Sequence, residues 1–138
     1  MSYNFFVCPK IAILDIPVFQ KGFTYMNTTN TNELHSESIY TLGIDIGSTT
    51  VKIAILDSAH NILFSDYERH FANIRETLAS LLQKAYKELG NIILCPMITG
   101  SGGLTLANHL EVPFTQEVIA VATSLQELAP QTDVAIEL

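Results

Sequence analysis

Residues 43–52, with the sequence GIDIGSTTVK, combine the residue types that bind phosphate groups. A turn at this point would aim successive backbone amides at one spot, which makes a concave site for phosphate oxygens. Gly47 allows a positive φ and a close approach of the backbone to an anion, and Asp45 could hold a Mg²⁺ ion through its water shell. The candidate phosphate-binding residues are Gly47, Ser48, Thr49, Thr50 and Lys52, the last of which would neutralise phosphate charge.

The same residues also fit a simpler interpretation. A β-hairpin with a solvated Gly-Ser-Thr turn would place Asp45 as an ordinary turn residue, and short motifs of this kind match by chance. A Walker loop is excluded, because the G-x-x-x-x-G-K-[ST] spacing is absent and a second strand follows the turn where a helix would be required. The motif therefore needs its structural context.

Three apolar segments surround the motif. Residues 40–46 and 51–56 are rich in aliphatic side chains, and residues 62–69 alternate between apolar and polar side chains. Turn residues separate each pair of segments. Because a parallel connection needs a longer crossover, we expect three antiparallel strands.

The remainder of the chain is typical of helix–strand units. Residues 73–89 have apolar side chains at helical spacing, and residues 92–98 form an apolar segment interrupted by Pro96. The predicted class is α/β, with a mixed sheet and the order β-β-β-α-β-α-α-β. The further predicted elements are a glycine turn at 99–103, helices at 104–110 and 116–128, a brief segment at 112–114, and the start of a strand at 134–138.

The composition limits the function. The 138 residues contain 14 acidic and 7 basic side chains, a net charge of −7. We therefore expect neither a nucleic acid nor an anionic membrane surface as a partner. Charged residues make up 15% of the chain, against about 25% in typical soluble domains, which suggests a sheet buried on both faces, a partner surface or a missing remainder. No apolar run reaches the roughly 18 residues of a membrane span.

The sequence changes character near residue 38. Residues 1–38 are expected to form an N-terminal arm and a polar linker rich in Asn, Thr and Ser, a composition typical of disorder. Residues 39–138 are expected to form the ordered domain.

Cysteine and histidine residues give no metal-binding pattern. Cys8 and Cys95 lie far apart, and Cys95 falls within a predicted buried strand, where we expect a reduced structural cysteine. The histidines share no metal-ligand spacing and are expected to be solvated or at the edge of the core; they are His35, His60, His70 and His109.

Several motifs in order resemble one ATPase family. Residues 42–57 resemble the first phosphate loop of the superfamily of actin, sugar kinases and heat-shock chaperone ATPases. The glycine turn at 99–103 resembles its T-G-x-G turn. Residues 114–120 resemble an E-I-x-A helix start, and residues 130–138 resemble the strand before the second phosphate loop. Over residues 40–138 the chain is most similar to the ATP-dependent activators of 2-hydroxyacyl-CoA dehydratases and the related ATPase subunits of benzoyl-CoA reductases.

This resemblance implies a ribonuclease-H-like, actin-like ATPase fold in two halves, with ATP bound between them. It also implies a homodimer with a [4Fe-4S] cluster at its interface. Such a protein uses ATP hydrolysis to drive a low-potential electron into a dehydratase or reductase partner. Asp45 then matches the Mg²⁺-associated acid, the Gly47 loop matches the loop at the β- and γ-phosphates of ATP or ADP, and Lys52 matches the lysine that follows. A cytoplasmic location is expected because residues 1–9 lack the basic start and the small-residue cleavage site of a secretion signal.

Two interpretations remain open for the glycine turn, and two remain open for Glu117. Gly100 and Gly102 would let a helix N-terminus approach the nucleotide cleft, or they form only a strand-to-helix turn. Glu117 would complement the dipole of its own helix, or it would face the cleft or a dimer contact.

The resemblance ends before the second phosphate loop. The adenosine-binding half and the cluster cysteines would follow Leu138, so the chain is expected to be the first subdomain alone, with weak or undetectable ATPase activity. Two alternative functions remain open. One is a sugar- or acetate-type kinase of the same superfamily, and the other is a non-catalytic interaction module that keeps the fold.

Overall fold

The computed structural model describes residues 11–13, 25–26 and 38–136. From residue 39 onward, the order of its strands and helices follows the prediction as far as the last helix. In chain order the elements are β1 (Ile11–Ile13), β2 (Tyr25–Met26), β3 (Ile39–Ile46), β4 (Thr50–Leu56), β5 (Ile62–Arg69), α1 (Ile74–Leu89), β6 (Ile93–Thr99), α2 (Gly103–Leu110) and α3 (Glu117–Leu128).

The strands form one mixed sheet in the order β2-β1-β6-β3-β4-β5. The pairs β3–β4 and β4–β5 are antiparallel, as expected for strands joined by short turns. The pair β3–β6 is parallel, because α1 carries the chain back to the starting end of the sheet. The predicted α/β class with three antiparallel strands is confirmed.

The backbones of β1 and β2 extend the sheet beyond β6. β1 pairs with β6 in antiparallel orientation, through Ala12↔Leu94 and Ile13↔Ile93, and β2 pairs with β1. The rest of residues 1–37 lies outside the described residues. The N-terminal arm and the boundary at residue 38 therefore stay predictions.

One face of the sheet carries the main core. Alternate residues of β3 and β4 point to this face, and α1 packs its apolar stripe against it. Leu81, Leu82 and Ala85 of α1 are fully buried there, as the helical spacing of the sequence predicts. The buried strand residues of this core cluster are Leu42, Ile44, Ile46, Val51, Ile53, Ile55, Phe64, Leu94 and Ile98. The opposite face presents Asp45 and Lys52.

The outer edge of this core is held by an ion-pair cluster. Lys84 of α1 contacts Asp66 at 2.6 Å and Glu68 at 2.8 Å, both on β5. The hydrogen bond from Lys84 holds the pKa of Asp66 below its usual value, and the two carboxylates raise the pKa of Lys84. These groups are solvated, so they orient α1 on β5 more than they stabilise the fold.

Two features depart from the sequence analysis. Residues 134–136, predicted to begin a strand, lie outside any strand, and Val134 and Ile136 are exposed; residues 137–138 lie outside the described residues. Cys95 is disulfide-bonded, so the expectation of a reduced thiol is wrong. Pro96 does not end β6, which continues to Thr99 and stays paired with β3 across Pro96.

Candidate functional site

Asp45 and Lys52 form an ion pair across the first hairpin. They are directly opposed residues of β3 and β4, on the sheet face away from α1. Lys52 Nζ lies 2.8 Å from Asp45 Oδ2, and the side chains are 57% and 22% exposed, respectively. The lysine is thus held at the open side of the pair, where its ammonium group can meet an anion.

The other oxygen of Asp45 faces inward. Asp45 Oδ1 is buried and has no hydrogen-bond partner among the described residues, and the same holds for Thr99 Oγ1. Asp45 and Thr99 are directly opposed residues of the parallel pair β3–β6. Buried polar atoms are nearly always satisfied by protein, water or a ligand. Two such atoms on adjacent strand ends therefore indicate a site for a polar ligand.

The Thr99 hydroxyl gives a direct stability prediction. We expect Thr99→Val to raise the free energy of unfolding by about 1 kcal/mol, because the change removes a buried hydroxyl that has no partner among the described residues. Urea unfolding of the nucleotide-free protein measures this change in the free energy of unfolding. Thr41→Val, at an exposed position of β3 on the same sheet face, reports the change in strand propensity alone. An equal gain in both variants would show that the Thr99 hydroxyl is already satisfied.

The Gly47 loop joins β3 to β4 as a tight turn. The Gly47 amide donates to the Thr50 carbonyl at 2.9 Å, so that amide closes the turn and is not available to an anion. Ser48 and Thr49 are exposed, and their amides donate no hydrogen bond within the described part of the chain. The loop therefore presents Ser48 and Thr49 as its free donors beside the Asp45–Lys52 pair.

The glycine turn after β6 packs directly beneath the end of β3. Gly100 has φ +92°, and a Cβ there would lie 2.4 Å from the Ile46 carbonyl oxygen and 2.5 Å from Asp45 Oδ1. The Gly102 amide donates to the Ile46 carbonyl at 2.9 Å. α2 starts immediately after this contact, so glycine is required where the turn meets the carboxylate of Asp45.

A cavity of about 390 Å³ lies between the sheet face and α3. Glu117, the first residue of α3, lines it together with Asp45, Lys52 and Thr99. The segment before α3 is fixed to the end of β6, since Thr115 donates to Ile98 at 2.9 Å. Two carboxylates and one ammonium group line the cavity. The carboxylates could bind a cation, and the ammonium group could bind an anion that accompanies it. The remaining lining residues are Ala120, Val121, Ser124 and Leu125.

His70 is a site residue that the sequence analysis missed. It is buried, its ring Nε2 lies 3.3 Å from the Gly47 carbonyl oxygen, and its amide donates to the Thr49 carbonyl at 3.1 Å. A signal for it existed in the sequence. Phe64 lies on β5 and His70 follows the strand directly, both at even-numbered positions, so continuing the period of two past Arg69 places them on the same inward face.

A metal-ligand cluster and a membrane-spanning helix are both absent from the part of the chain that the structure describes. No group of three or more His, Cys, Asp and Glu side chains is arranged to hold a metal ion there. The described helices are too short or too polar for any of them to cross a membrane.

The fold belongs to the actin-like ATPase and sugar-kinase type, as three solved structures indicate. One is a ROK-family transcriptional regulator, a homologue of the E. coli MLC protein. The alignment covers 92% of this chain and 39% of the regulator, at 11% identity and TM-score 0.50. At this identity the likeness concerns the fold alone.

Two activator structures are similar as well. Component A of the (R)-2-hydroxyglutaryl-CoA dehydratase of Acidaminococcus fermentans is 23% identical over 69% of this chain, at TM-score 0.54. The activator of the 2-hydroxyisocaproyl-CoA dehydratase from Clostridium difficile, solved with bound ADPNP, is 25% identical over 67% of this chain, at TM-score 0.53. The resemblance found in the sequence motifs is thereby confirmed at the level of structure.

The match covers part of each relative. The chain spans 37% of the length of the first activator and 35% of the second. No protein-family model matches the sequence, and no curated protein matches it.

Proposed function

We propose that this chain is the first half of an ATP-binding domain and binds the phosphate groups of ATP or ADP with Mg²⁺. The observation that carries the proposal is the Asp45 carboxylate, which has one oxygen on Lys52 and the other buried without a partner among the described residues. The exposed turn at Ser48 and Thr49 lies directly beside it. The similarity to an activator solved with bound ADPNP supports the same assignment.

Asp45 fits the requirements of a hydrated Mg²⁺ ion. Its inner oxygen is an acceptor that lacks a donor, and Thr99 Oγ1 beside it is a second oxygen without a partner in the described residues. Mg²⁺ keeps several of its waters and is commonly held by one carboxylate plus phosphate oxygens. When bound, the ion would supply positive charge at the phosphates. The residue that would hold it, through water, is Asp45.

The phosphate oxygens would be bound by the loop and by Lys52. The Ser48 and Thr49 amides are exposed donors, and an oriented pair of amides contributes fixed positive partial charge without reorganisation. Lys52 would exchange part of its contact with Asp45 for a phosphate oxygen. Gly100 and Gly102 would not bind the phosphate through a side chain. Their lack of a Cβ lets the turn after β6 pass close to the end of β3, and at Gly100 close to Asp45.

For the whole protein, we propose the role of an ATP-dependent activator. It would couple ATP hydrolysis to the transfer of a low-potential electron into a 2-hydroxyacyl-CoA dehydratase or a related reductase, as a cytoplasmic homodimer. The described residues contain no cluster-ligand set, so the ligands of a [4Fe-4S] cluster would come from another part of the protein. No electron-transfer step is assigned to the residues of this chain.

The proposal is tested by titrating the ¹⁵N-labelled chain with AMPPNP and recording the amide shifts. We expect shifts at residues 47–50 and 99–102 with Mg²⁺, and their loss when EDTA removes the ion. Equal shifts in EDTA would contradict the Mg²⁺ assignment. No shift at any concentration would contradict nucleotide binding and favour the interaction module.

The same sample tests whether the chain contains only one half of an ATP-hydrolysing site. We expect no ATP turnover, because an actin-like site clamps phosphate between two halves and this chain spans about a third of its relatives. Turnover comparable to that of an intact ATPase, lost in Asp45→Ala, would contradict this expectation.

A further inference from the structure

His70 lies beneath the candidate phosphate loop, on the α1 side of the sheet. The residue follows β5 directly and is 9% exposed. Its amide bonds the Thr49 carbonyl at 3.1 Å, and its ring Nε2 contacts the Gly47 carbonyl at 3.3 Å. One residue therefore contacts both carbonyls that flank the Ser48–Thr49 tip.

The proton position on the ring follows from its second contact. The Ala72 amide donates to His70 Nδ1 at 3.0 Å, so Nδ1 is the acceptor nitrogen. A neutral imidazole with an acceptor at Nδ1 carries its proton at Nε2. Nε2 is therefore a donor, and the Gly47 carbonyl is the acceptor that it faces.

A strained turn holds the ring in this position. Phe71 and Ala72 both have positive φ, 44° and 69°, a conformation that costs free energy for any residue other than glycine. Phe71 is 80% exposed, so burial of its side chain does not offset the cost. The turn brings the Ala72 amide onto the ring and the Asn73 amide onto the His70 carbonyl at 2.6 Å. Strain of this kind persists where the surrounding structure fixes it, and it is typical of functional sites.

The two carbonyl contacts determine the direction of the loop amides. In a planar trans peptide the carbonyl and the following amide point in opposite directions. Holding the Gly47 carbonyl toward His70 therefore turns the Ser48 amide away from it, and holding the Thr49 carbonyl does the same for the Thr50 amide. Asp45 and Lys52 lie on the opposite face of the sheet from His70.

We propose that His70 is a positioning residue: its ring Nε2–H and its backbone amide hold the loop carbonyls so that the loop amides face an incoming phosphate group. This role rests on the proposed function, since it concerns the same loop. It is distinct from the assignment of Asp45, because His70 touches only the backbone of the loop.

Two substitutions separate the ring contact with the loop from the contact within the turn. In His70→Gln the side-chain amide extends to about the position of Nε2 and still donates to the Gly47 carbonyl. In His70→Asn the shorter side chain reaches the Ala72 amide with its oxygen but does not reach Gly47. Both variants lose the packing of the ring, so each is the matched control of the other.

The first measurement is the ¹⁵N order parameter of the Ser48 amide, which the ring contact with the Gly47 carbonyl orients, in the nucleotide-free protein. We expect about 0.85 in the wild type and in His70→Gln, and below about 0.6 in His70→Asn. The second is the affinity for AMPPNP with Mg²⁺. We expect His70→Asn to bind about fivefold more weakly and His70→Gln to stay within about twofold of the wild type, the effect of one hydrogen bond.

The outcomes distinguish this inference from the proposed function. Equal order in all three proteins, or equal loss in both variants, would overturn the positioning role and leave His70 as a packing residue. If the wild type binds no AMPPNP, the proposed function fails, and the order parameters of the nucleotide-free loop still decide whether His70 holds it.

Discussion

Replacing Asp45 by asparagine is expected to weaken Mg²⁺-dependent nucleotide binding about 10- to 100-fold, the effect of losing one strong charge-assisted contact. The substitution keeps the shape of the side chain and removes the charge that would hold the hydrated ion. It also removes the charge that fixes Lys52 Nζ at 2.8 Å. Isothermal titration with AMPPNP, with and without Mg²⁺, measures both effects.

The free energy of unfolding is expected not to decrease in the same variant. Asp45 Oδ1 is a buried acceptor without a partner among the described residues, and a buried carboxylate costs more free energy to desolvate than an amide. The lost attraction to the exposed Lys52 is small in comparison. A protein that loses binding but not stability would identify Asp45 as a binding residue.

Asp57→Asn is the matched control for charge. Asp57 follows β4 at the far end of the hairpin and accepts hydrogen bonds from the Ala59 and Asn61 amides and from the Asn61 side chain. Its substitution changes the net charge by the same amount, far from the Gly47 loop. If Asp57→Asn weakened AMPPNP binding as much as Asp45→Asn, the effect would be one of overall charge, and the assignment of Asp45 would be wrong.

Local sequence determined the part of the site that lies on one hairpin. Alternating aliphatic residues on both sides of a Gly-Ser-Thr turn predict two antiparallel strands, and a tight turn sets their register. Once Gly47 and Thr50 close the turn, Asp45 and Lys52 are opposed by counting along the strands. The pairing of acid and lysine was therefore contained in ten consecutive residues.

The contribution of Thr99 could not be predicted in the same way. Its position opposite Asp45 depends on the parallel register of β3 and β6, which are separated by two strands and α1. No local signal sets that register; the packing of α1 on the sheet and the glycine contacts at Ile46 do so. His70 is an intermediate case, because alternation in β5 predicts that it points inward but not that its ring meets Gly47.

The missing final strand has a related physical cause. Residues 134–136 are apolar, and the β-branched Val134 and Ile136 among them led to the prediction of a strand. A strand also needs a partner edge. Both edges of β6 are paired at Ile93 and Leu94, one with β3 and the other with β1. Propensity does not reveal which neighbour occupies an edge.

Gly100→Ala is expected to be the most destabilising single substitution at the site, at about 2–5 kcal/mol. Two costs add: the left-handed conformation at φ +92°, about 1–2 kcal/mol for an alanine, and overpacking, about 1–3 kcal/mol. The overpacking arises because the new Cβ would lie 2.4 Å from the Ile46 carbonyl oxygen and 2.5 Å from Asp45 Oδ1. The Ile46 oxygen belongs to the backbone of β3 and cannot rotate away. Urea unfolding measures the loss.

Gly90→Ala separates the two costs. Gly90 follows α1 with φ +75°, and a Cβ there would meet no atom of the described residues within 4 Å. This variant therefore loses only the conformational term, about 1–3 kcal/mol for an alanine at φ +75° and ψ −154°. The difference between the variants measures how closely the glycine turn approaches Asp45. Equal losses would mean that no close contact exists and that Gly100 is needed for its backbone conformation alone, whereas a larger loss at Gly100 supports its role in shaping the carboxylate site.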